Sequence, residues 1–165
     1  MKRVKDGFKH AMQREALDNF INRCFNYPGI VSGVVSTNIA LTYATQYCIE
    51  GYAFSAAAVA SGRYLPQGEG YSIVASNKAR MFAVCLDSAG SVHLYAGSAV
   101  SAGTTTYAPD LPTSKCCVGL VKVSMASTAS FTVGTNAWGS GASLTSCTVE
   151  YWNVSQVPQG VIISE

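Results

Sequence analysis

A predicted β-hairpin near the middle of the chain constrains the fold more than any other feature. The apolar run at residues 80–86 is short for a helix and leads directly into Asp-Ser-Ala-Gly at positions 87–90. Aspartate at the first position and glycine at the fourth are typical of a type I turn whose glycine adopts a positive φ. The return strand is then expected at residues 91–97. These residues predict an antiparallel sheet at the centre of the protein.

Short apolar or alternating segments, separated by turns rich in Gly, Pro, Ser and Thr, continue this pattern. Alternation indicates a strand with one buried and one solvated face, as where Val121 and Val123 flank Lys122. The further predicted strands cover residues 39–49, 52–60, 71–75, 118–125, 131–134 and 144–152, with a short helix as the alternative for the alanine-rich residues 52–60. Many short strands joined by such turns predict a mainly β protein with a β-sandwich or Greek-key-like body.

The N-terminal residues follow a different, helical pattern. From residue 6 to about residue 27, apolar side chains recur at about every fourth position, and Pro28-Gly29 is expected to end the helix. We therefore predict an α-helical arm over residues 1–28 and a β-sandwich body over residues 29–165. The apolar face of the arm is expected to bind a neighbouring subunit, with packing on its own β body as the alternative. Its predicted contact residues are Phe8, Met12, Leu17, Phe20 and Ile21.

Charged residues are few and unevenly distributed. They make up 12% of the chain, about half the usual quarter. Residues 1–28 hold six basic and three acidic side chains, a net charge of +3, and residues 29–165 hold five basic and six acidic, a net charge of −1. A body with so little charge either presents Ser, Thr, Gly and Ala to water or covers much of its surface with partners.

This composition argues against several classes of partner. No run of about 18 uncharged apolar residues has transmembrane character, so we expect no membrane span. The basic residues near the N-terminus lack interleaved aromatic residues, and we expect no nucleic-acid binding. They are also not followed by the apolar region of a signal peptide, so synthesis and retention in a cytoplasm are expected.

The sequence contains no recognisable catalytic constellation. It has no P-loop, no dinucleotide-binding motif and no Gly-x-Ser-x-Gly motif. The two histidines, His10 and His93, are far apart, and the carboxylates of the body form no close pair in the sequence. We therefore predict that the protein is not an enzyme and that it uses no cofactor and no small-molecule substrate.

Six cysteines, at positions 24, 48, 85, 116, 117 and 147, are scattered without a Cys-x-x-Cys pair. A structural metal site requires close ligand pairs, so no metal is expected. Each cysteine lies in or beside an apolar run, where a free thiol behaves as a small apolar side chain. We predict reduced and mostly buried thiols. A disulfide, for example between Cys85 and Cys147, would require an oxidising compartment.

The longest predicted loop spans residues 98–115. It contains Tyr-Ala-Pro-Asp-Leu-Pro at positions 107–112, in which the two prolines stiffen the chain and exclude a central strand. An aromatic and an aliphatic side chain on a rigid loop form a second predicted partner-binding site. Its residues are Tyr107, Pro109, Leu111 and Pro112.

Five segments of the body follow one another in a distinctive order. A strand ending in an Asp-x-x-Gly turn is followed by a Pro-x-Leu-Pro loop, a valine-rich strand, a Phe-Thr-x-Gly segment and an aromatic strand. They occupy residues 82–90, 109–112, 118–123, 131–135 and 151–155. This order, over residues 71–158, resembles small structural proteins of tailed bacteriophage particles, especially head decoration (cement) proteins.

The resemblance implies a function that needs no catalytic group. Cement proteins bind a lattice of capsid subunits, commonly as trimers at local three-fold positions. We therefore expect a virion structural protein that is assembled in the host cytoplasm, binds the major capsid protein as a homotrimer and stabilises the phage head shell. The alternative is a tail-fibre or spike module that binds cell-surface glycans. Exposed Tyr and Trp residues grouped on one face, for instance Trp138 and Trp152, would favour that alternative. A structural oligomer should instead bury its aromatic residues at subunit contacts.

Overall fold

The computed structural model describes residues 22–33, 37–63, 73–126, 129–138 and 147–153, with the backbone alone for residues 60–63 and 73. Within these ranges the chain forms thirteen strands and contains no helix. Every strand pair is antiparallel. The prediction of a mainly β protein is confirmed.

The strands form several sheets. In chain order they are β1 (Arg23–Cys24), β2 (Ile30–Ser32), β3 (Ile39–Leu41), β4 (Thr45–Ile49), β5 (Tyr52–Ala56), β6 (Val59–Arg63), β7 (Ile73–Val74), β8 (Lys78–Leu86), β9 (Val92–Ala96), β10 (Val100–Ser101), β11 (Cys116–Met125), β12 (Phe131–Thr132) and β13 (Cys147–Asn153). The largest sheet has the order β10-β8-β11-β13, and β9 also pairs with β8. The smaller sheets are β1-β4-β5, β2-β3-β6 and β12-β7.

The central hairpin consists of β8 and β9, as predicted. Gly90 has a φ of 76°, and its N–H closes the turn by donating to the carbonyl oxygen of Asp87 at 3.0 Å. The Asp87 carboxylate also accepts hydrogen bonds from the backbone amides of Ala89 and Ser91, at 2.9 and 2.8 Å. Local turn chemistry therefore determines where the strand reverses.

The large sheet is buried on both faces at its centre. Its inner face contributes side chains such as Phe82, Val84 and Val121 to the main core. Its outer face carries a smaller group, which we call the outer cluster and which consists of Ala83, Cys85 and Leu120. Burial on both faces explains why the sequence of β8 is continuously apolar over residues 82–86 rather than alternating.

One main core joins the sheets. Buried side chains from several sheets meet there, among them Leu41 of β3, Tyr47 of β4 and Phe82 of β8. Trp138 is fully buried in this core, and its ring makes edge contacts with the rings of Phe82 and Phe131 at centroid distances of 5.6 and 4.9 Å. The described strands are thus held together by shared apolar burial.

The prediction of one long strand over residues 39–49 is wrong. β3 ends at Leu41 and β4 begins at Thr45, and residues 42–44 between them are exposed. The break arises because the two halves have different partners, with β3 pairing to β2 and β6 while β4 pairs to β1 and β5. In an unbroken strand Tyr43 would share a face with the buried Leu41 and Thr45, whereas the break leaves its side chain exposed.

The predicted helix is wrong at its C-terminal end. Asn22 has a φ of 59°, which an α-helix does not allow. Arg23 and Cys24 form β1, which pairs with β4, and Cys24 is buried in the main core. A β-strand therefore lies on the arm side of the predicted boundary at residue 28. The rest of the predicted arm, residues 1–21, lies outside the described residues.

A β-bulge in β11 makes room for β2. Cys117 is opposite Cys85 and Gly119 is opposite Val84, so Val118 is an extra residue in β11. The bulge places Gly119 where β2 approaches the large sheet.

The missing side chain of Gly119 is necessary for this approach. A Cβ at this position would lie 2.7 Å from the carbonyl oxygen of Trp152 and would overlap the Ile30 side chain. A hydrogen bond from the Ile30 N–H to Asn153 Oδ1, 2.7 Å long, holds β2 at the same junction. The small sheet therefore docks on β11 and β13 through a position that only glycine fits.

Substitution of Gly119 by alanine tests this junction. We expect Gly119→Ala to lower the free energy of unfolding by roughly 1–3 kcal/mol, because the added methyl group meets backbone that is held in the β11–β13 pairing. Denaturant unfolding measures the change. Ser124→Ala, at a half-buried position of the same strand, is the control and should change stability by less than about 0.5 kcal/mol. Equal stability of the two variants would contradict the close packing.

Candidate functional site

The predicted partner-binding residues of the arm lie outside the described residues. The loop residues are described, and the loop lies against the outer face of the large sheet. Leu111 packs against the outer cluster. The carbonyl oxygen of Tyr107 lies so close to Gly97 that a Cβ on that glycine would be 2.5 Å from it. Tyr107 and Pro112 are exposed, whereas Pro109 and Leu111 are half-buried. Their proposed role in binding stays a prediction.

A second exposed surface lies elsewhere, and the sequence did not indicate it. We call it the aromatic patch, and it consists of Phe25, Tyr27 and Tyr43, whose exposed fractions are 39%, 55% and 54%. The rings of Tyr27 and Tyr43 are neighbours, with centroids 5.8 Å apart and planes inclined by 49°. Two segments that are distant in the sequence thus form one surface.

Backbone hydrogen bonds hold these two segments side by side. The Phe25 N–H donates to the Gln46 carbonyl oxygen at 2.8 Å, and the Tyr43 N–H donates to the Pro28 carbonyl oxygen at 3.1 Å. The Asn26 side chain also bridges the two segments. Its Nδ2 donates to the Ala44 carbonyl oxygen at 2.7 Å, and its Oδ1 accepts from the Gln46 N–H at 2.7 Å.

Gly29 fixes the position of the Tyr43 ring. It has a φ of 64°, a value that favours glycine. A Cβ on Gly29 would lie 2.8 Å from Cδ2 of Tyr43 and 2.9 Å from Cβ of Thr42. Pro28-Gly29, which the sequence analysis interpreted as the end of a helix, instead allows the backbone to pass directly beneath an exposed ring.

The chemistry of the aromatic patch is that of the centre of a protein interface. No Asp, Glu, Lys, Arg or His occurs between Cys24 and Ile49. Thr42, Ala44 and Gln46, which lie beside Tyr43 in the sequence, are exposed and uncharged. Interface centres are enriched in aromatic residues and depleted of charge, whereas isolated exposed apolar residues carry no such meaning. The neighbouring rings of Tyr27 and Tyr43, with the exposed Phe25 two residues before Tyr27 on the same uncharged ribbon, distinguish this surface.

The tryptophans named in the sequence analysis do not form a surface. Trp138 is fully buried, and its Nε1–H donates to the Thr37 carbonyl oxygen at 3.0 Å. Trp152 is half-buried and packs against the outer cluster. Trp138 is therefore part of the core, and the two tryptophans do not form an exposed aromatic face of the kind that would favour the glycan-binding alternative.

A cluster of ionisable side chains lies at the turn of the central hairpin. His93 Nε2 is 2.8 Å from Asp87 Oδ2 and 3.1 Å from Lys115 Nζ. Lys115 Nζ is 3.7 Å from the same carboxylate oxygen. The Tyr47 hydroxyl donates to the Asp87 carbonyl oxygen at 2.6 Å. These contacts tie β4, β9 and the start of β11 to the hairpin turn.

Hydrogen bonding decides the ionisation of Asp87. Burial alone would raise the pKa of its carboxyl group. Hydrogen bonds from His93 and from the backbone amides of Ser91 and Ala89 have the opposite effect and hold the pKa below its ordinary value. The ionised carboxylate is therefore a structural acceptor that stabilises the folded state.

Neither the comparisons with known proteins nor the geometry of the described residues identifies a chemical activity. In the part of the chain that the structure describes, no three His, Cys, Asp or Glu side chains are placed to hold a metal ion. The same residues include no helix long and apolar enough to cross a membrane. No protein-family model, curated protein or solved structure matches this chain. The aromatic patch is the surface on which a functional proposal rests.

Removal of the Asp87 charge tests the cluster. Because its folded-state pKa is depressed, the carboxylate contributes stability above its unfolded-state pKa of about 3.9, and this contribution is lost as the pH falls through the folded-state value. We expect Asp87→Asn to lower the free energy of unfolding by roughly 1–2 kcal/mol at pH 7, with a smaller difference in acid. Thermal unfolding across pH measures this. Asp110→Asn, in an exposed loop, is the control, and a pH-independent difference would contradict the assignment.

Proposed function

We propose that the protein is a virion structural protein, a decoration or cement protein that binds the major capsid protein and stabilises a phage head shell. The observation that carries the proposal is the aromatic patch, an exposed group of three aromatic side chains on a stretch of 26 residues from Cys24 to Ile49 without a charge. The order of β segments along residues 71–158 supports the same class of protein.

The chemistry of the patch favours a protein partner. Binding to nucleic acid depends on Lys and Arg contacts to phosphates, and the segment from Cys24 to Ile49 that carries the patch contains neither residue. Aromatic rings on a hydrogen-bonded ribbon lose little conformational entropy when they are covered by a complementary surface. An apolar centre surrounded by uncharged polar residues such as Thr42 and Gln46 is the usual arrangement of a protein–protein contact.

The finer features of the proposal concern architecture and assembly. We propose that the sheets form a β-sandwich, an arrangement supported by the single core that they share. A homotrimer would place three aromatic patches on one lattice site, and avidity would then strengthen binding of individually weak contacts. The loop carrying Tyr107 and the N-terminal residues 1–21 are the further proposed contacts with neighbouring subunits.

Stabilisation of the shell would follow from mass action. A protein that binds the intact shell and not its dissociated subunits stabilises the shell by about 2.7 kcal/mol per site when its free concentration is ~100-fold above the dissociation constant. This effect requires no chemical step by the decoration protein. It requires a contact of roughly 1,000 Å² or more with good complementarity.

A glycan-binding tail-fibre or spike module is the second candidate. The neighbouring exposed rings of Tyr27 and Tyr43 favour it, because aromatic faces can stack on the apolar faces of sugar rings. Sugars also require polar groups that fix their orientation. The Asn26 side chain beside these rings is already engaged with the backbone of β4 and of the segment before it. The decoration role is therefore our first proposal.

Particles with and without the protein test the proposal. We expect heads of the encoding phage that lack the protein to rupture at a lower temperature, and addition of the purified protein to restore their stability. The double variant Tyr27→Ser/Tyr43→Ser should bind heads roughly 30-fold more weakly, because interface centres contribute about 2 kcal/mol or more. Calorimetry of heads and cosedimentation measure the two effects.

The control variant is Tyr52→Ser, which removes a still more exposed tyrosine from the start of β5 (exposed fraction 72%). It should bind heads as the unaltered protein does. Equal binding by the double variant, with a folded β structure by circular dichroism, would exclude the patch as the contact. Binding of the protein to host glycans and not to heads would support the tail module instead.

A further inference from the structure

Two cysteines face each other across the two longest strands. Cys85 in β8 and Cys117 in β11 are direct partners in the antiparallel register. Both belong to the outer face of the large sheet, where Cys117 packs against the outer cluster that contains Cys85. The two thiols are in hydrogen-bonding contact with each other.

The hydrogen-bond pattern shows which kind of cross-strand pair they form. On β8, the Met81 carbonyl oxygen accepts from the Gly97 N–H at 2.8 Å, and the Asp87 N–H donates to the Ser91 carbonyl oxygen at 3.1 Å. The backbone N–H and C=O groups of successive strand residues point to opposite edges of the strand. The odd-numbered residues of β8 therefore bond to β9, and the even-numbered residues bond to β11. Cys85 therefore forms a non-hydrogen-bonded pair with Cys117.

This type of pair brings side chains closest together. The Cα atoms of a non-hydrogen-bonded antiparallel pair are about 4.5 Å apart. Disulfides occur at Cα separations of about 4.4–6.8 Å. The backbone at Cys85 and Cys117 therefore already meets the distance requirement for a disulfide, without a change of register.

We propose that Cys85 and Cys117 are a disulfide-forming site that is oxidised by small-molecule disulfides. The proposal rests on the strand register and is independent of the proposed function. In the first step the Cys117 thiolate attacks one sulfur of the small disulfide, forming a mixed disulfide and releasing one thiolate. In the second step the Cys85 thiolate attacks Cys117 Sγ and releases the second thiolate of the small disulfide. The two protein protons pass to the two released thiolates, so the protein loses two electrons and the small disulfide gains them.

The environments of the two thiols are suited to this order of steps. Cys117 is half-buried, whereas Cys85 is fully buried. The hydrogen bond from the Cys85 thiol lowers the pKa of Cys117, against the opposing effect of burial. Burial raises the pKa of Cys85 well above its ordinary value. Cys117 is thus the accessible nucleophile and Cys85 the resolving thiol, because the thiolate is the reactive form.

The other cysteines are placed differently. Cys24, Cys48 and Cys116 are buried, and burial raises the pKa values of Cys24 and Cys116. Cys147 is opposite Met125, at the far end of β11 from Cys117. Cys85 is opposite Cys117 and Cys147 is opposite Met125, and these two residues of β11 are eight positions, or roughly 26 Å, apart. The disulfide between Cys85 and Cys147 that the sequence suggested as an example is therefore excluded.

Oxidation would covalently join the two central strands of the large sheet. The bond closes the chain between residues 85 and 117 and so restricts the unfolded state. The protein would then exist in two forms of different stability, selected by the thiol–disulfide balance of its surroundings.

The experiment uses the full chain, reduced and then incubated with oxidised glutathione. Remaining thiols are alkylated, and peptides are mapped by mass spectrometry. We expect one linked peptide pair, Cys85 with Cys117, lacking two hydrogen atoms, and four alkylated cysteines. The midpoint of thermal unfolding should rise by roughly 5–10 °C and return when dithiothreitol is added.

Variants separate the roles of the two thiols. Cys85→Ala should stop at a glutathione adduct on Cys117, and Cys117→Ala should leave Cys85 unmodified. Cys147→Ala, which removes the other half-buried thiol, is the control and should form the same link as the unaltered chain. A link that involves Cys24, Cys48 or Cys116, or a persistent glutathione adduct on Cys117 in the unaltered protein, would overturn the proposal.

Discussion

The pairing of β8 with β11 is the interaction on which the rest of the structure depends. These are the longest strands that the structure describes, and they pair from Leu86 opposite Cys116 to Ala79 opposite Ser124. Their inner faces supply much of the main core, and their outer faces supply the outer cluster, which the loop carrying Leu111 covers. The hairpin, the bulge at Val118 and the edge strand β13 all take their positions from this pair.

The smaller sheets are attached to this pair by specific contacts as well as by apolar burial. Ile30 occupies the space left by Gly119, and the Tyr47 hydroxyl bonds to the backbone of the hairpin turn. Because these contacts orient the ribbon formed by residues 22–33 and 37–49, they also orient the aromatic patch that the ribbon carries. Core packing and the proposed function are linked in this way.

The features that could be predicted from the sequence are those determined locally. The Asp87–Gly90 turn was predicted because its aspartate and glycine act within four residues. The strand at Arg23–Cys24, the break at Tyr43 and the aromatic patch depend on pairing between segments about 20 residues apart. A helical period over residues 8–24 concealed the strand, and alternation over residues 39–49 concealed the break. The burial of Trp138 depends on Phe82 and Phe131, which lie in different strands. Local periodicity contains no information about such partners.

The central claim is that the aromatic patch is covered by a capsid protein, and side-chain footprinting on intact heads tests it most directly. Hydroxyl radicals oxidise exposed tyrosines, so the oxidation of individual residues can be compared between the free and the head-bound protein. The account predicts that Tyr27 and Tyr43 become protected on heads while Tyr52 stays reactive. Unchanged oxidation of Tyr27 and Tyr43 in the bound protein, with protection confined to other residues such as Tyr107, would contradict it.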